Sequence, residues 1–183
     1  MLKVASFDIV FQEIPGEVTL ALNLSGCPCH CKGCHSPHLW EDIGEPLTAD
    51  LLDNLIARYA GLITCVCFMG GDQDPAEVLR LAEHVKSYFS TSSTSLSSFP
   101  SLDGRAGERS ERLHTAWYSG RNRELPSYGE GLEKGFDYIK IGPYIESLGG
   151  LKSPTTNQRL YKREGDIWQD ITPLFWKNRF DSL

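Results

Sequence analysis

Four cysteines fall within eight positions of this chain, in the run Gly26-Cys27-Pro28-Cys29-His30-Cys31-Lys32-Gly33-Cys34-His35. No other feature constrains the fold as strongly. In a reducing compartment, clustering of this kind points to metal or redox chemistry rather than to disulfides. Within the run, Cys27, Cys31 and Cys34 form a C-x3-C-x2-C pattern. Iron–sulfur clusters are held by thiolates on short, sharply turning loops. Three thiolates on a four-iron cluster leave one iron free to bind substrate, much as a catalytic zinc keeps one position open. The competing reading is a structural zinc site drawing on the same cysteines with His30 and His35. Such sites usually pair two C-x2-C units, or one such unit with distant histidines, and this run has one C-x2-C and no second knuckle. Cys29 lies outside the three-cysteine pattern and reads as a bystander thiol. The two remaining cysteines, Cys65 and Cys67, are two apart in an apolar run, so they share one face of a strand and read as small core residues.

The bulk properties exclude several classes. The chain has 183 residues, enough for one domain with a real core. Its net charge is −6 and its pI about 5.4, which gives no basic footprint for nucleic acid. Mean hydropathy is −0.28, and no run of 18 apolar residues suggests a membrane span. The N-terminal stretch alternates in polarity and has neither the apolar core nor the cleavage site of a secretory signal. A cytoplasmic protein is the expectation.

Strand and helix signals then alternate. Val18 to Leu24 reads as a buried strand that leads directly into the cysteine run. Ser36-Pro37 opens a short helix reaching Trp40, with Ser36 as its cap. Thr48 caps a second helix, in which Leu51, Leu52, Leu55, Ile56 and Tyr59 keep helical spacing up to the stop at Gly61. The apolar run Leu62 to Met69 reads as a strand covered on both faces, and it ends at Gly70-Gly71-Asp72. Asp74-Pro75-Ala76-Glu77 starts another helix with a cap, a first-turn proline and an acidic third residue. From about residue 90 to 112 the composition becomes serine-rich, then charged and glycine-punctuated, which reads as a flexible insertion. His114 to Tyr118 is a third strand, closed by Ser119-Gly120, and Asp137 to Ile141 a fourth, closed by Gly142-Pro143. Arg159 to Lys162 and Ile167 to Asp170 flank a turn and predict a hairpin, followed by a short helix from Pro173 to Arg179. This order predicts an α/β fold with a mainly parallel sheet. Sites in such sheets lie beyond the carboxyl ends of the strands, so the cysteines, Gly70-Gly71-Asp72, Ser119-Gly120 and Gly142 are expected to converge.

These motifs together resemble the radical S-adenosylmethionine superfamily. Within it, the stretch GCPCHCKGCHSPHLW, with glycine at position 33, is similar to the activating proteins of anaerobic (class III) ribonucleoside-triphosphate reductase. Gly70-Gly71-Asp72 resembles the G-G-D that holds the cofactor's ammonium group in that family. Trp117-Tyr118-Ser119-Gly120, and the stretch from Asp137 through Gly142 to Thr156-Asn157-Gln158-Arg159, match its later motifs. The resemblance covers nearly the whole chain except the insertion. It implies a single domain over residues 1–183, folded as a partial, open β/α barrel.

The resemblance also implies a [4Fe–4S] cluster on Cys27, Cys31 and Cys34, and S-adenosylmethionine bound near Gly33, Cys34, His35, Gly70, Gly71, Asp72, Ser119, Gly120 and Lys140. For Ser119-Gly120 a plain strand-end turn is an equal reading, and Lys140 either reaches the cofactor or faces solvent. No side chain is expected to act as acid or base. The implied partners are the large subunit of the reductase, whose glycine receives the radical, and an electron donor such as flavodoxin or ferredoxin. Two other readings fit the same residues. One is another small radical enzyme, a pyruvate formate-lyase activase or a deazaguanine-type synthase, and the other is a zinc-binding module without catalysis.

Overall fold

Helix and strand alternate through the middle of the chain, and that order builds the centre of an eight-stranded sheet. The computed structural model describes residues 1–91, 112–121 and 135–176. Its elements are β1 (Lys3–Val10), β2 (Thr19–Leu24), β3 (Glu45–Pro46), α1 (Ala49–Arg58), β4 (Cys65–Met69), α2 (Pro75–Thr91), β5 (His114–Tyr118), β6 (Tyr138–Ile141), β7 (Arg159–Glu164) and β8 (Ile167–Asp170). Single 3-10 turns occupy Pro37–Trp40 and Thr172–Phe175. The spatial strand order is β3-β1-β2-β4-β5-β6-β7-β8. Pairing is parallel from β2 through β4 and β5 to β6, and antiparallel at both flanks. The sheet is therefore mixed, with a parallel centre, where the sequence suggested a mainly parallel one. Between β1 and β2 and between β7 and β8 the connection is too short for a crossover and returns the chain antiparallel, while β6 reaches β7 through residues 142–158.

The helix signals act as read. Thr48 Oγ1 accepts the Leu51 N–H at 3.2 Å, and Asp74 Oδ1 accepts that of Glu77 at 3.2 Å. Ser36, by contrast, makes no side-chain cap. The apolar run before Gly70 enters the sheet only at Cys65, and Leu62 is 67 % exposed. Helix α2 continues through Thr91. Most of the expected insertion at 90–112 lies outside the described residues, as does the end of the helix expected over Pro173 to Arg179. No helix among the described residues is long and apolar enough to cross a membrane.

Strand alternation sorts the core into two faces. Leu20, Leu22, Leu24, Val66, Phe68, Trp117 and Ile139 face Leu52, Leu55 and Ile56 of α1 and Val78, Leu81 and Val85 of α2. Both helices thus cover the same face. Cys65, Cys67, Ala116 and Tyr138 point to the other face and meet Ile14, Leu160 and Ile171. Both of these cysteines are fully buried and pack as core residues.

At the amino ends of the parallel strands one carboxylate joins four segments. Glu17 lies just before β2. It bonds His114 Nδ1 of β5 at 2.8 Å, accepts from the Tyr138 hydroxyl of β6 at 2.8 Å, and accepts from Thr64 Oγ1, just before β4, at 2.5 Å. Burial alone raises the Glu17 pKa, but the bonds from His114, Thr64 and Tyr138 outweigh it and hold the carboxyl below its usual 4.5. The bond to Glu17 is the largest influence on His114 and lifts its imidazole above 6.5. A raised histidine stabilises fully below its unfolded pKa and loses that contribution as pH rises through the folded one. A lowered carboxylate contributes above its unfolded pKa and loses that as pH falls through the folded one. The pair therefore contributes most between about pH 4.5 and 6.5. His114→Gln is expected to cost about 1.5–3 kcal/mol in that window and less above it, read as unfolding free energy against pH. An equal loss at every pH would contradict the charged pair.

Candidate metal and cofactor centre

The cysteine loop leaves β2 at its carboxyl end and is anchored at its base. Gly26 N–H bonds Glu41 O at 3.1 Å, Cys27 N–H bonds Leu39 O at 2.9 Å, and Ser25 Oγ donates to Ile43 O at 2.6 Å. Buried Leu39 pins the return segment. Between these anchors the backbone turns sharply, with left-handed residues at Gly26, His30 and Gly33. Cys34 N–H closes a turn on Cys31 O at 3.1 Å. Cys27, Cys29, Cys31 and Cys34 are all free and half-buried. Ser36 N–H donates to Cys34 Sγ at 3.4 Å. His35 is exposed, its ring 4.8 Å from that of Tyr144.

The turn after β4 meets this loop. Gly70 and Gly71 both have left-handed φ, at +101° and +86°. At Gly71 the reason is close packing, since a Cβ would lie 2.5 Å from Val78 Cγ2 and 2.9 Å from Leu24 Cδ1. The bare turn lets α2 come down onto the sheet. Trp117 Nε1 donates to Gly70 O at 2.7 Å, fixing the turn to β5. The next side chain, Asp72, is 1 % exposed. It accepts from Ser119 Oγ at 2.5 Å and from Gly120 N–H at 2.8 Å. Cys29 Sγ approaches it at 3.8 Å. Burial first, then the Asp72 charge and the neighbouring Cys27, push the Cys29 thiol up to about 12.

Lys140 reaches the same end of the sheet from β6. It is buried, and its Nζ donates to Gly142 O at 2.7 Å and lies 3.4 Å from Ser119 O. Burial lowers its pKa to about 8 against the opposing pull of Asp72 and the loop cysteines. Of its two sequence readings, the solvent-facing one is removed. Cys29, read from the sequence as a thiol outside the three-cysteine pattern, lies with its sulfur against Asp72. Gly70, Gly71, Asp72, Ser119, Gly120, Lys140 and the cysteine loop thus come together, and the exposed His35 ring lies against that of Tyr144.

Two residues joined to this centre were not singled out from the sequence. Arg121 Nη2 donates to Asp72 O at 2.5 Å, and its Nε lies 3.9 Å from Asp72 Oδ1. Gln73 Nε2 donates to Ser25 O at 2.7 Å, tying the turn after β4 to the base of the cysteine loop. Both directly follow a recognised motif, at a strand end on the site side, and that adjacency is the signal that marks them.

A family model described as a 4Fe-4S single cluster domain matches residues 15–113. The chain belongs to this family. The matched span contains the whole cysteine loop and the turn at Gly70-Gly71-Asp72. No curated protein and no solved structure matches the chain. The loop suits the family's group: it offers thiolates from one short, tightly turning segment, the ligand type such clusters use.

Gly71→Ala is expected to lower stability by about 1–3 kcal/mol, because the added methyl overpacks the junction of α2 with the sheet. The denaturant midpoint of the purified chain reads this directly. An unchanged midpoint would mean that α2 can move off the sheet at no cost.

Proposed function

We propose that this iron–sulfur domain is a radical S-adenosylmethionine enzyme that activates a glycyl radical protein, the large subunit of an anaerobic ribonucleotide reductase. The supporting observation is the network centred on Asp72, which links the cysteine loop through Cys29 to Ser119-Gly120 at the neighbouring strand end. In this reading the sheet is the wall of a partial, open β/α barrel with the site on its carboxyl rim. Cys27, Cys31 and Cys34 hold the [4Fe–4S] cluster and leave one iron without a protein ligand. When bound, the cluster supplies the electron that splits S-adenosylmethionine into methionine and a 5′-deoxyadenosyl radical, which takes a hydrogen atom from the partner's glycine.

The chain's own residues bind and orient. Asp72 faces the ammonium of the cofactor's methionine part and is held in place by Ser119 and Gly120. Gly70 and Gly71 keep the backbone free of side chains where that part lies. Lys140 brings a buried positive charge toward the cofactor's carboxylate or ribose. The backbone around Gly33, Cys34 and His35 lines the adenine side. No side chain is needed as acid or base in the radical transfer, because glycine supplies a hydrogen atom rather than a proton. An electron donor such as flavodoxin or ferredoxin reduces the cluster.

The deciding experiment is anaerobic reconstitution with iron and sulfide, reduction, and assay for 5′-deoxyadenosine released from S-adenosylmethionine. Release of 5′-deoxyadenosine is the expected result, and a loaded, reduced cluster that releases none would sink the proposal. Cys27→Ala, Cys31→Ala and Cys34→Ala are each expected to lose the cluster, whereas Cys29→Ala keeps its iron. Iron content and the paramagnetic spectrum of the reduced protein give the answer.

Asp72→Ala is expected to keep its iron and to bind S-adenosylmethionine one to two decades more weakly. This corresponds to about 1.5–3 kcal/mol for a lost charge-assisted hydrogen bond. Spectroscopic titration of the reconstituted cluster measures it. Unchanged affinity would reduce the Gly70-Gly71-Asp72 turn to a strand-end turn.

A further inference from the structure

The cysteine loop carries one more thiol than a three-ligand pattern uses, and that thiol lies inside the site. Cys29 Sγ is 3.8 Å from Asp72 Oδ2. The opposite wall is the Gly120 backbone, where a Cβ would stand 2.7 Å from the sulfur. The same backbone donates its N–H to Asp72, so the close approach is fixed by a second bond. Like the other loop cysteines, Cys29 is half-buried, and it lies near Cys27, Cys31 and the carboxylate that the proposed function assigns to the cofactor's ammonium.

We propose that Cys29 is a fourth, exchangeable ligand of the cluster: without S-adenosylmethionine its thiolate caps the iron left open by Cys27, Cys31 and Cys34, and the cofactor displaces it. The inference rests on the function proposed above. On capping, the Cys29 thiol gives up its proton to solvent water and an iron–sulfur bond forms. On displacement that bond breaks, and the cofactor's amino nitrogen and a carboxylate oxygen take its place. The proton that the ammonium must lose to coordinate iron passes to the departing thiolate. No electron moves in either direction. Asp72 faces the thiol in one state and the amino group in the other.

The test uses the full chain as wild type, Cys29→Ala and Cys29→Ser, each reconstituted anaerobically without S-adenosylmethionine and then treated with a mild oxidant. An iron bound only by sulfide and solvent is the one lost most readily. The wild type is expected to keep its four-iron cluster. Cys29→Ala is expected to shed one iron and show the paramagnetic signal of a three-iron cluster, with Cys29→Ser in between. S-adenosylmethionine should bind Cys29→Ala about tenfold more tightly, because no thiolate has to leave first. Equal three-iron yields and equal affinities in all three proteins would overturn the exchange and leave the proposed function standing. Complete loss of the cluster in both variants would make Cys29 a permanent ligand and equally overturn exchange. A wild type that assembles no four-iron cluster would overturn both proposals.

Discussion

A buried carboxylate with its full set of donors organises the carboxyl end of this sheet. Taking Asp72 out of water carries a desolvation cost that only hydrogen bonds and nearby positive charge can offset. Ser119, Gly120 and Arg121 provide these, and Lys140 adds a buried cation close by. The requirement runs in both directions. Ser119 and Gly120 adopt their positions because Asp72 is there to receive them. Asp72 can be buried because the turn before it has no side chains to displace and is pinned by Trp117. The site is thus a by-product of closing β4 onto β5, and a loop that places a sulfur against Asp72 inherits a rigid floor.

The amino end repeats the arrangement with different chemistry. Glu17 gathers Thr64, His114 and Tyr138, so a second carboxylate holds the beginnings of the same parallel strands. There the partners are neutral hydroxyls and an imidazole, and Glu17 is more open to solvent than Asp72. That end therefore responds to pH through a histidine whose pKa its carboxylate partner raises, while the site end is governed by burial. Between the two carboxylates lies an apolar layer in which Phe68, Trp117 and Phe136 pack, the rings of Trp117 and Phe136 stacking at 5.7 Å.

The sequence made some of this legible and hid the rest for identifiable reasons. Caps and breakers are local, so Thr48, Asp74 and the glycine turns could be located without knowing the fold. The convergence of Gly70-Gly71-Asp72 with Ser119-Gly120 followed from alternation of strands and helices, because parallel strands put their carboxyl ends on one side. Strand β1 escaped notice because its partner lies across a loop and its pattern is mostly half-exposed, with few fully buried positions. Leu62 misled because an apolar run shows where burial is possible, not where the backbone joins the ladder. The place of Cys29 beside Asp72 stayed hidden because ligand spacing is read along the chain. Its proximity to Asp72 arises from two strand ends meeting, which no spacing encodes.

A mixed sheet must also end somewhere, and its outermost strands bear on how the molecule behaves among its own copies. An unpaired strand edge is a template for another chain. Here one edge is β3, two residues long and ending in Pro46, which has no N–H to offer. The other edge is β8, four residues that start at the exposed Ile167 and end at Asp170, which Thr172 and Arg159 engage. The mostly buried strands of the parallel centre, β2, β4, β5 and β6, are all interior, each paired on both sides. Folding thus hides the segments best suited to cross-chain stacking and leaves only short, interrupted borders. For a chain whose central strands are largely buried, protection from self-association comes with strand order itself.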